Sequence, residues 1–170
     1  MNLVYINSAN GLSKAALETV TYAKKLGADV VVVTNANASA ETLTALGNYG
    51  ASTILQDTSI DGQDPSQLVK LVAAAAQKVG ASTIIFSHDL IGKAVAPRLS
   101  VRLKAGLVAG AVALPEPDGS IKVNVFSGKA FGYVRVNSST RIISLLPNSI
   151  QPEQIGGNCS VEAFDGQAGS

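Results

Sequence analysis

The sequence predicts an α/β fold that is doubly wound, with a mainly parallel sheet, helices on both faces and a C-terminal antiparallel meander. The first observation behind this prediction is a weak internal repeat, in which a helix-like segment ends in glycine and a strand-like segment follows. The repeat occurs at residues 26–28, 49–51, 79–81 and 105–106. Glycine suits the end of a helix because it adopts positive φ without a Cβ penalty. Units that alternate helix and strand indicate crossovers between parallel strands.

The second observation is a change of pattern after Leu114. Residues 115–119 form a turn cluster with two prolines and a glycine, and apolar residues then alternate with others over 121–126, which is the period of a strand. Further strands are predicted at 131–136, at 141–146 and, as a short one, at 160–164. Short connections separate the strands at 121–126, 131–136 and 141–146. We therefore expect these three strands to form an antiparallel meander attached to the parallel sheet.

The parallel part of the sheet is predicted from five mainly apolar runs, at residues 3–7, 30–34, 52–57, 83–86 and 107–114. Such runs are typical of strands that are covered on both faces. Helices are expected to start at Ser13, Ser39 and Asp64, whose side chains can accept a backbone N–H of the first turn. Pro65 strengthens the third start, since the first turn of a helix leaves its N–H groups unpaired in any case.

The segment 82–107 joins the fourth strand to the fourth helix. The strand ends at the polar turn 87–89. We expect the helix to begin after Gly92, where an apolar stripe with helical spacing starts, and to end at Gly106. Pro97 would then lie near the start of the helix, where a missing N–H costs least.

The composition limits the class of protein. A chain of 170 residues with 46% hydrophobic residues can form one well-buried domain. The net charge of +1, without a basic run longer than a pair, gives no sign of nucleic-acid binding. The N-terminus lacks signal-peptide features and no apolar stretch reaches 18 residues, so no membrane insertion and a cytoplasmic location are expected. Cys159 is the single cysteine, and with one histidine it cannot form a conventional zinc shell, so no metal site is expected.

A candidate ligand site follows from the expected strand order 3-2-1-4-5. In such a sheet a ligand binds at the carboxyl ends of the strands where the winding reverses. The residues there are Asn7, Ser8, Asn10, Ser87 and His88, which could together hold a phosphate. Ordinary turn and cap chemistry is the alternative, since the sequence has no glycine-rich phosphate motif. No catalytic residue is expected, because adjacent residues such as Ser87 and His88 point to opposite sides of an extended segment.

Three cations of the fourth helix are a candidate contact surface. Lys93, Arg98 and Arg102 are expected along one edge of the helix, and the two arginines are one turn apart. They could act on a carboxylate or on a partner protein. A solvated helix face is the alternative.

The same helix carries a resemblance to a known family. Gly92 and Lys93, then residues 96–99 (Ala-Pro-Arg-Leu), Leu103 and residues 106–107, resemble the strand-to-helix segment in the N-terminal domain of the electron transfer flavoprotein alpha subunit. The order of the predicted elements along most of the chain is similar to that of this domain too.

Later segments extend the resemblance, with departures. Residues 127–130 and the strand 133–136 are similar to the Tyr-x-Gly-x-Ala turn of the family, with Phe126 in place of its tyrosine. Residues 142–147 resemble the following strand, but Leu146 stands before the proline where the family has arginine. Residues 109–110 read Ala-Gly where the family often has Ser-Asp.

The resemblance implies an isolated domain of a larger protein. Residues 1–165 would be the N-terminal domain of an alpha subunit and 166–170 a disordered tail. The C-terminal domain, which holds the flavin in this family through a Ser-Arg-Pro motif and a Gly-x-Ser-Gly-x-x-Gln-His segment, would be absent, because neither motif occurs. The expected fold is the adenine nucleotide alpha hydrolase-like form of the doubly wound sheet. This fragment would therefore bind no FAD by itself.

The resemblance also implies a function. The domain would be a non-enzymatic scaffold that meets a beta subunit through Lys93, Arg98 and Arg102. The complete protein would carry electrons from flavin dehydrogenases to a quinone-linked acceptor, with AMP possible in the partner subunit. The main alternative is a stand-alone adenine-nucleotide-binding module of the same fold that uses the candidate ligand residues above. A hydrolase that depends on His88 is a third reading.

Overall fold

The computed structural model describes residues 1–7, 13–35, 39–60, 64–125 and 130–165. Within these described residues, nine strands form one sheet in the order β7-β6-β5-β8-β4-β1-β2-β3-β9. Their bounds are β1 Asn2–Ile6, β2 Val30–Thr34, β3 Ala51–Gln56, β4 Thr83–Ser87, β5 Gly106–Ala111, β6 Ile121–Val125, β7 Ala130–Val134, β8 Arg141–Leu145 and β9 Ser160–Ala163. The helices are α1 Lys14–Lys25, α2 Ala40–Thr44, which continues as a 3-10 helix at Ala45–Tyr49, α3 Pro65–Val79 and α4 Leu90–Leu103.

The winding of the sheet reverses beside β1. β1 pairs in parallel with β2 on one side and with β4 on the other, so that Val4 lies opposite Val32 and Ile85. β2 continues in parallel to β3. The successive crossovers therefore move outward in one direction through α1 and α2 and in the other through α3 and α4, which confirms the doubly wound α/β prediction.

Helices cover both faces of the central strands because the strand residues are apolar on both faces. On one face, Val20 of α1 joins the buried cluster that contains Val4. On the other face, Val72 of α3 and Leu99 of α4 join the cluster that contains Leu3. Each fully buried aliphatic side chain of this kind contributes about 1.5–3 kcal/mol.

The meander prediction is wrong for its third strand. β6 and β7 form an antiparallel hairpin, and β6 is antiparallel to β5. β8, however, leaves the hairpin and lies between β4 and β5, parallel to both. The physical reason is burial: Ile142, Ile143 and Leu145 occupy both faces of the strand and are almost completely buried, which a central position allows and an edge position in a meander would not.

β9 lies at the opposite edge of the sheet, in parallel with β3. The short strand predicted near residue 160 is thus confirmed. Two predicted segments lie outside the described residues: the turn at 127–129, and the five-residue tail 166–170, for which disorder is expected.

α4 starts earlier than predicted. Its N-cap is Asp89, whose Oδ1 accepts the Gly92 backbone N–H at 2.8 Å, so the helix begins at Leu90 and Pro97 lies in its interior. Its end is also different, because Lys104 adopts the left-handed conformation with φ 53° and the helix stops before Gly106. The predicted start is too late because it follows the apolar stripe rather than the aspartate cap.

Candidate functional site

A small crevice lies at the carboxyl edge of the sheet, between the ends of β1 and β4. Its walls include Asn7 and Ser87 after the two strands, Ser13 and Thr19 of the α1 region, and Asp89. The volume is about 60 Å³, which is room for about two water molecules and well below the 300 Å³ of typical ligand pockets. Two further predicted site residues, Ser8 and Asn10, lie outside the described residues.

Tyr5 stands at the inner wall of this crevice. Its hydroxyl donates a hydrogen bond of 2.7 Å to Oδ1 of Asn35, which follows β2. Its ring lies 5.9 Å from that of Phe86. Burial, and to a smaller extent the charge of Asp89, raises the pKa of Tyr5, so the phenol stays protonated and serves as a donor.

His88 is directed away from the crevice, toward β8. Its Nδ1 lies 2.7 Å from Oγ of Ser144, and the same Oγ accepts the backbone N–H of Gly110 at 3.2 Å. The backbone N–H of His88 also donates to the carbonyl of Leu145 at 2.7 Å. The structure therefore brings Asn7 and Ser87 to one crevice and sends His88 to a different set of partners.

Ser144 is a residue that the sequence reasoning missed. Its hydroxyl and the imidazole of His88 form the nearest approach to a base and nucleophile pair among the described residues, but Ser144 is only 1% exposed, which closes it to a substrate. The available signal was one hydroxyl within the apolar run of β8. This hydroxyl could not be identified as a partner of His88, because the position of β8 beside β4 was not predicted.

The surroundings of His88 favour the neutral imidazole. Burial lowers the pKa of His88, the positive charge of Lys93 lowers it further, and the carboxylate of Asp89 opposes both. Gly110 lies beside the ring in a bulge of β5, with φ +78°, and a Cβ there would be 3.9 Å from Nε2 of His88. The ring is thus held between β8 and this bulge.

The three cations of α4 do not lie along one edge, which corrects the sequence expectation. At 100° per residue, Lys93 is about 140° around the helix from Arg98 and about 180° from Arg102. Arg98 and Arg102 share one flank of the exposed side, and Lys93 lies on the other flank. All three side chains are exposed.

Arg102 also lines an open groove of about 530 Å³ between α3 and α4. The other residues that line this groove are Lys70, Ala73, Ala74, Ala76 and Gln77 of α3, together with Ala81, Leu103 and Thr140. Because α3 and α4 run back across the sheet, the groove lies toward the amino edge of the strands, away from the crevice where the winding reverses.

The described ranges contain no sign of a metal site or of a membrane-spanning helix. No three or more histidine, cysteine, aspartate or glutamate side chains there are grouped to hold a metal ion. None of the described helices combines the length and the apolar character that a membrane crossing requires. The thiol of Cys159 lies 3.5 Å from the carbonyl of Thr44, and burial raises its pKa.

These features define a class: a doubly wound α/β domain with a small crevice at the reversal of its winding. A family model described as the electron transfer flavoprotein domain matches residues 2–167. The chain belongs to this family, as its sequence resemblance indicated.

Two curated relatives show which part of a family member the chain resembles. The electron transfer flavoprotein subunit alpha of Bacillus subtilis (strain 168) is 25% identical over 124 residues, which are 69% of this chain and 38% of the relative. That of Mycobacterium tuberculosis (strain CDC 1551 / Oshkosh) is 28% identical over 160 residues, 91% of this chain and 50% of the relative. The chain thus spans half or less of the length of these relatives and matches their N-terminal part.

Proposed function

We propose that this chain is the N-terminal scaffold domain of an alpha-type subunit in an electron transfer flavoprotein. The single observation that carries the proposal is the family match over residues 2–167, which corresponds to the N-terminal part of relatives that are named alpha subunits. The domain spans residues 1–165 in this proposal. It has an electron-carrier role and no catalytic residue, since redox chemistry in such a protein belongs to the cofactor.

In this proposal FAD is held by a flavin-binding domain other than residues 1–165. The size of the crevice supports this assignment, because about 60 Å³ is far too small for an isoalloxazine ring system. AMP, where it is present, belongs to the partner subunit.

The partner in this proposal is a beta subunit, and Lys93, Arg98 and Arg102 belong to the surface that meets it. Flavin dehydrogenases supply the electrons and a quinone-linked acceptor receives them, in the cytoplasm. The exposure of the three cations on one helix supports a role in protein contact.

The first test is the visible absorption spectrum of the purified chain after incubation with FAD and desalting, together with its binding to the beta subunit of the same organism. A colourless chain that binds the beta subunit is the expected result. Stoichiometric yellow flavin that survives the column would contradict the assignment of FAD to another domain. Failure to bind the beta subunit would contradict the scaffold role.

A stand-alone adenine-nucleotide-binding module is the second candidate, and one observation favours it: Asn7 and Ser87 line the crevice at the reversal of winding. A module of this kind would be stabilised by AMP or ATP alone, by about 2.7 kcal/mol at a hundredfold excess over the dissociation constant. Thermal unfolding with and without nucleotide distinguishes it from the scaffold domain, which should not respond.

A further inference from the structure

α4 carries apolar residues on its outer side as well as on its buried side. Leu90 is 83% exposed and Val101 is 81% exposed. Pro97 is exposed and Ala94 is half-buried between them. The four residues have the spacing i, i+4, i+7, i+11, which places them on one line along the helix. We call this line the outer stripe of α4.

The outer stripe is long enough to hold a segment of a partner. Leu90 and Val101 are eleven positions apart, which is about 16 Å along the helix axis. A stripe with a branched aliphatic side chain at each end and small residues in the middle matches the side of a second helix or an extended segment.

Cations border the outer stripe on both sides. Arg98 and Arg102 lie on the flank toward α3, and Lys93 lies on the other flank. Within the described residues, the one ion pair found joins Lys25 to Glu153, so none of these three cations is matched by a carboxylate. Asp89, the N-cap of α4, lies next to Leu90, so the helix and its cap place three cations and one carboxylate around the stripe, and their net charge is positive.

The charge around the outer stripe indicates which kind of partner can bind there. A second copy of the chain would bring its own α4 against this one, and the net positive charges of the two helices would then face each other. A segment with an apolar centre and carboxylates along both sides would instead satisfy the stripe and all three cations. Charge complementarity thus favours an acidic partner over self-association.

We propose that the outer stripe of α4 binds an apolar segment of the beta subunit that is bordered by acidic residues on both sides. This inference rests on the scaffold function proposed above, and it adds the apolar contacts and the charge of the partner segment. Leu90 and Val101 supply the buried centre of the contact. Arg98, Arg102 and Lys93 fix its orientation by pairing with carboxylates at its edges.

The test is the affinity of the full chain for the beta subunit of the same organism, measured by titration calorimetry at low and at moderate salt. Val101→Glu should weaken binding by at least about tenfold, because it buries a carboxylate among apolar groups. Arg98→Glu should weaken it similarly and should reduce the dependence of affinity on salt.

Two variants on the opposite face of the sheet are the matched controls. Ile155→Glu changes another exposed aliphatic residue to an acid, and Lys24→Glu reverses another exposed cation. Both should bind within about twofold of the wild-type chain. Circular dichroism of every variant checks that the fold is retained.

The outcomes separate the two proposals. If the wild-type chain binds and the α4 variants bind equally well, the stripe is not the contact, while the scaffold function stands. Equal losses of affinity in the α4 variants and in the controls would also contradict the proposed contact at the outer stripe. A wild-type chain that does not bind the beta subunit overturns the scaffold function and this inference together. A homodimer that Val101→Glu dissociates would overturn the inference by showing that the occupant is a second copy.

Discussion

Nδ1 of His88 lies 2.7 Å from Oγ of Ser144, and this contact joins the turn after β4 to the end of β8. Ser144 also accepts the N–H of Gly110, so its own hydroxyl proton is free to be donated to a neutral imidazole. The hydrogen bond therefore connects three strands at the carboxyl edge of the sheet, and it depends on the charge of His88.

We expect the pKa of His88 to be below its usual 6.5, because burial and Lys93 both disfavour the imidazolium. A depressed pKa in the folded state means that the unfolded chain binds more protons. The resulting stability is fully present above pH 6.5 and is lost as the pH falls through the folded value. NMR titration is direct, since the chain has one histidine.

Lys93→Gln should raise the midpoint of this titration, because it removes one of the two causes of the low pKa. Unfolding measurements between pH 8 and pH 5 should show a steeper loss of stability in the wild-type chain than in His88→Gln. A histidine midpoint at or above 6.5 in the wild-type chain would contradict the prediction.

Gly92→Ala should destabilise the fold by about 3 kcal/mol, the upper part of the range for overpacked sites. A Cβ at this position would collide with the backbone carbonyl oxygen of Ser87, which cannot move without disturbing the end of β4. Urea unfolding measures the loss.

Gly80→Ala is the control for this substitution. Gly80 has φ +65° and no neighbour within 4 Å of the place that a methyl group would take, so only the left-handed backbone is penalised, by about 1–2 kcal/mol. A loss for Gly92→Ala that is no larger than that for Gly80→Ala would show that the contact with Ser87 relaxes easily.

Glu18→Ala should lower the free energy of unfolding by about 2 kcal/mol, a typical value for the loss of a hydrogen bond to a charged group. Glu18 is 1% exposed, and its carboxylate accepts the Asn148 backbone N–H at 2.8 Å. Glu18→Gln keeps an acceptor and should lose less. Chemical denaturation compares them.

Glu153→Ala serves as the exposed counterpart, because Glu153 pairs with Lys25 at 2.8 Å on the surface. Glu153→Ala should lower the free energy of unfolding by less than about 1 kcal/mol. If the two alanine variants are equally stable, the buried carboxylate of Glu18 contributes no more than a surface ion pair.

The thiol of Cys159 should react slowly with a disulfide reagent in the folded chain. Burial raises its pKa, which lowers the fraction of thiolate, and Sγ lies close to the carbonyls of Leu43 and Thr44. At pH 8 we expect a rate at least about tenfold below that of the urea-unfolded chain. Equal rates in the two states would show that the thiol is open to solvent.

Local signals in the sequence are sufficient for most of the elements. The apolar run predicts Val30–Thr34 with its observed bounds, and Asp64 followed by Pro65 marks the start of α3 as observed. A cap, a proline at the first turn or a continuous apolar run acts within a few residues, so it can be interpreted without knowing the rest of the fold.

Long-range pairing could not be predicted in this way. No sequence signal within β8 indicates that this strand lies between β4 and β5. The contact of His88 with Ser144 depends on that position. Pro97 shows a related limit, because tertiary packing tolerates it inside α4 where local preference would put it at the start. The expected strand order 3-2-1-4-5 is correct from β3 to β4, which brings Asn7 and Ser87 together, and wrong for β5, which β8 separates from β4.

The position of β8 has a consequence for how the chain is made. A nascent chain that stops short of Arg141 has two separate groups of strands, with β4 at the edge of one and β5 at the edge of the other. Both edges are apolar and would be open to pairing with other chains. Synthesis must therefore pass residue 145 before β8 can join the two groups into one sheet, and until then both edges stay open to pairing with other chains.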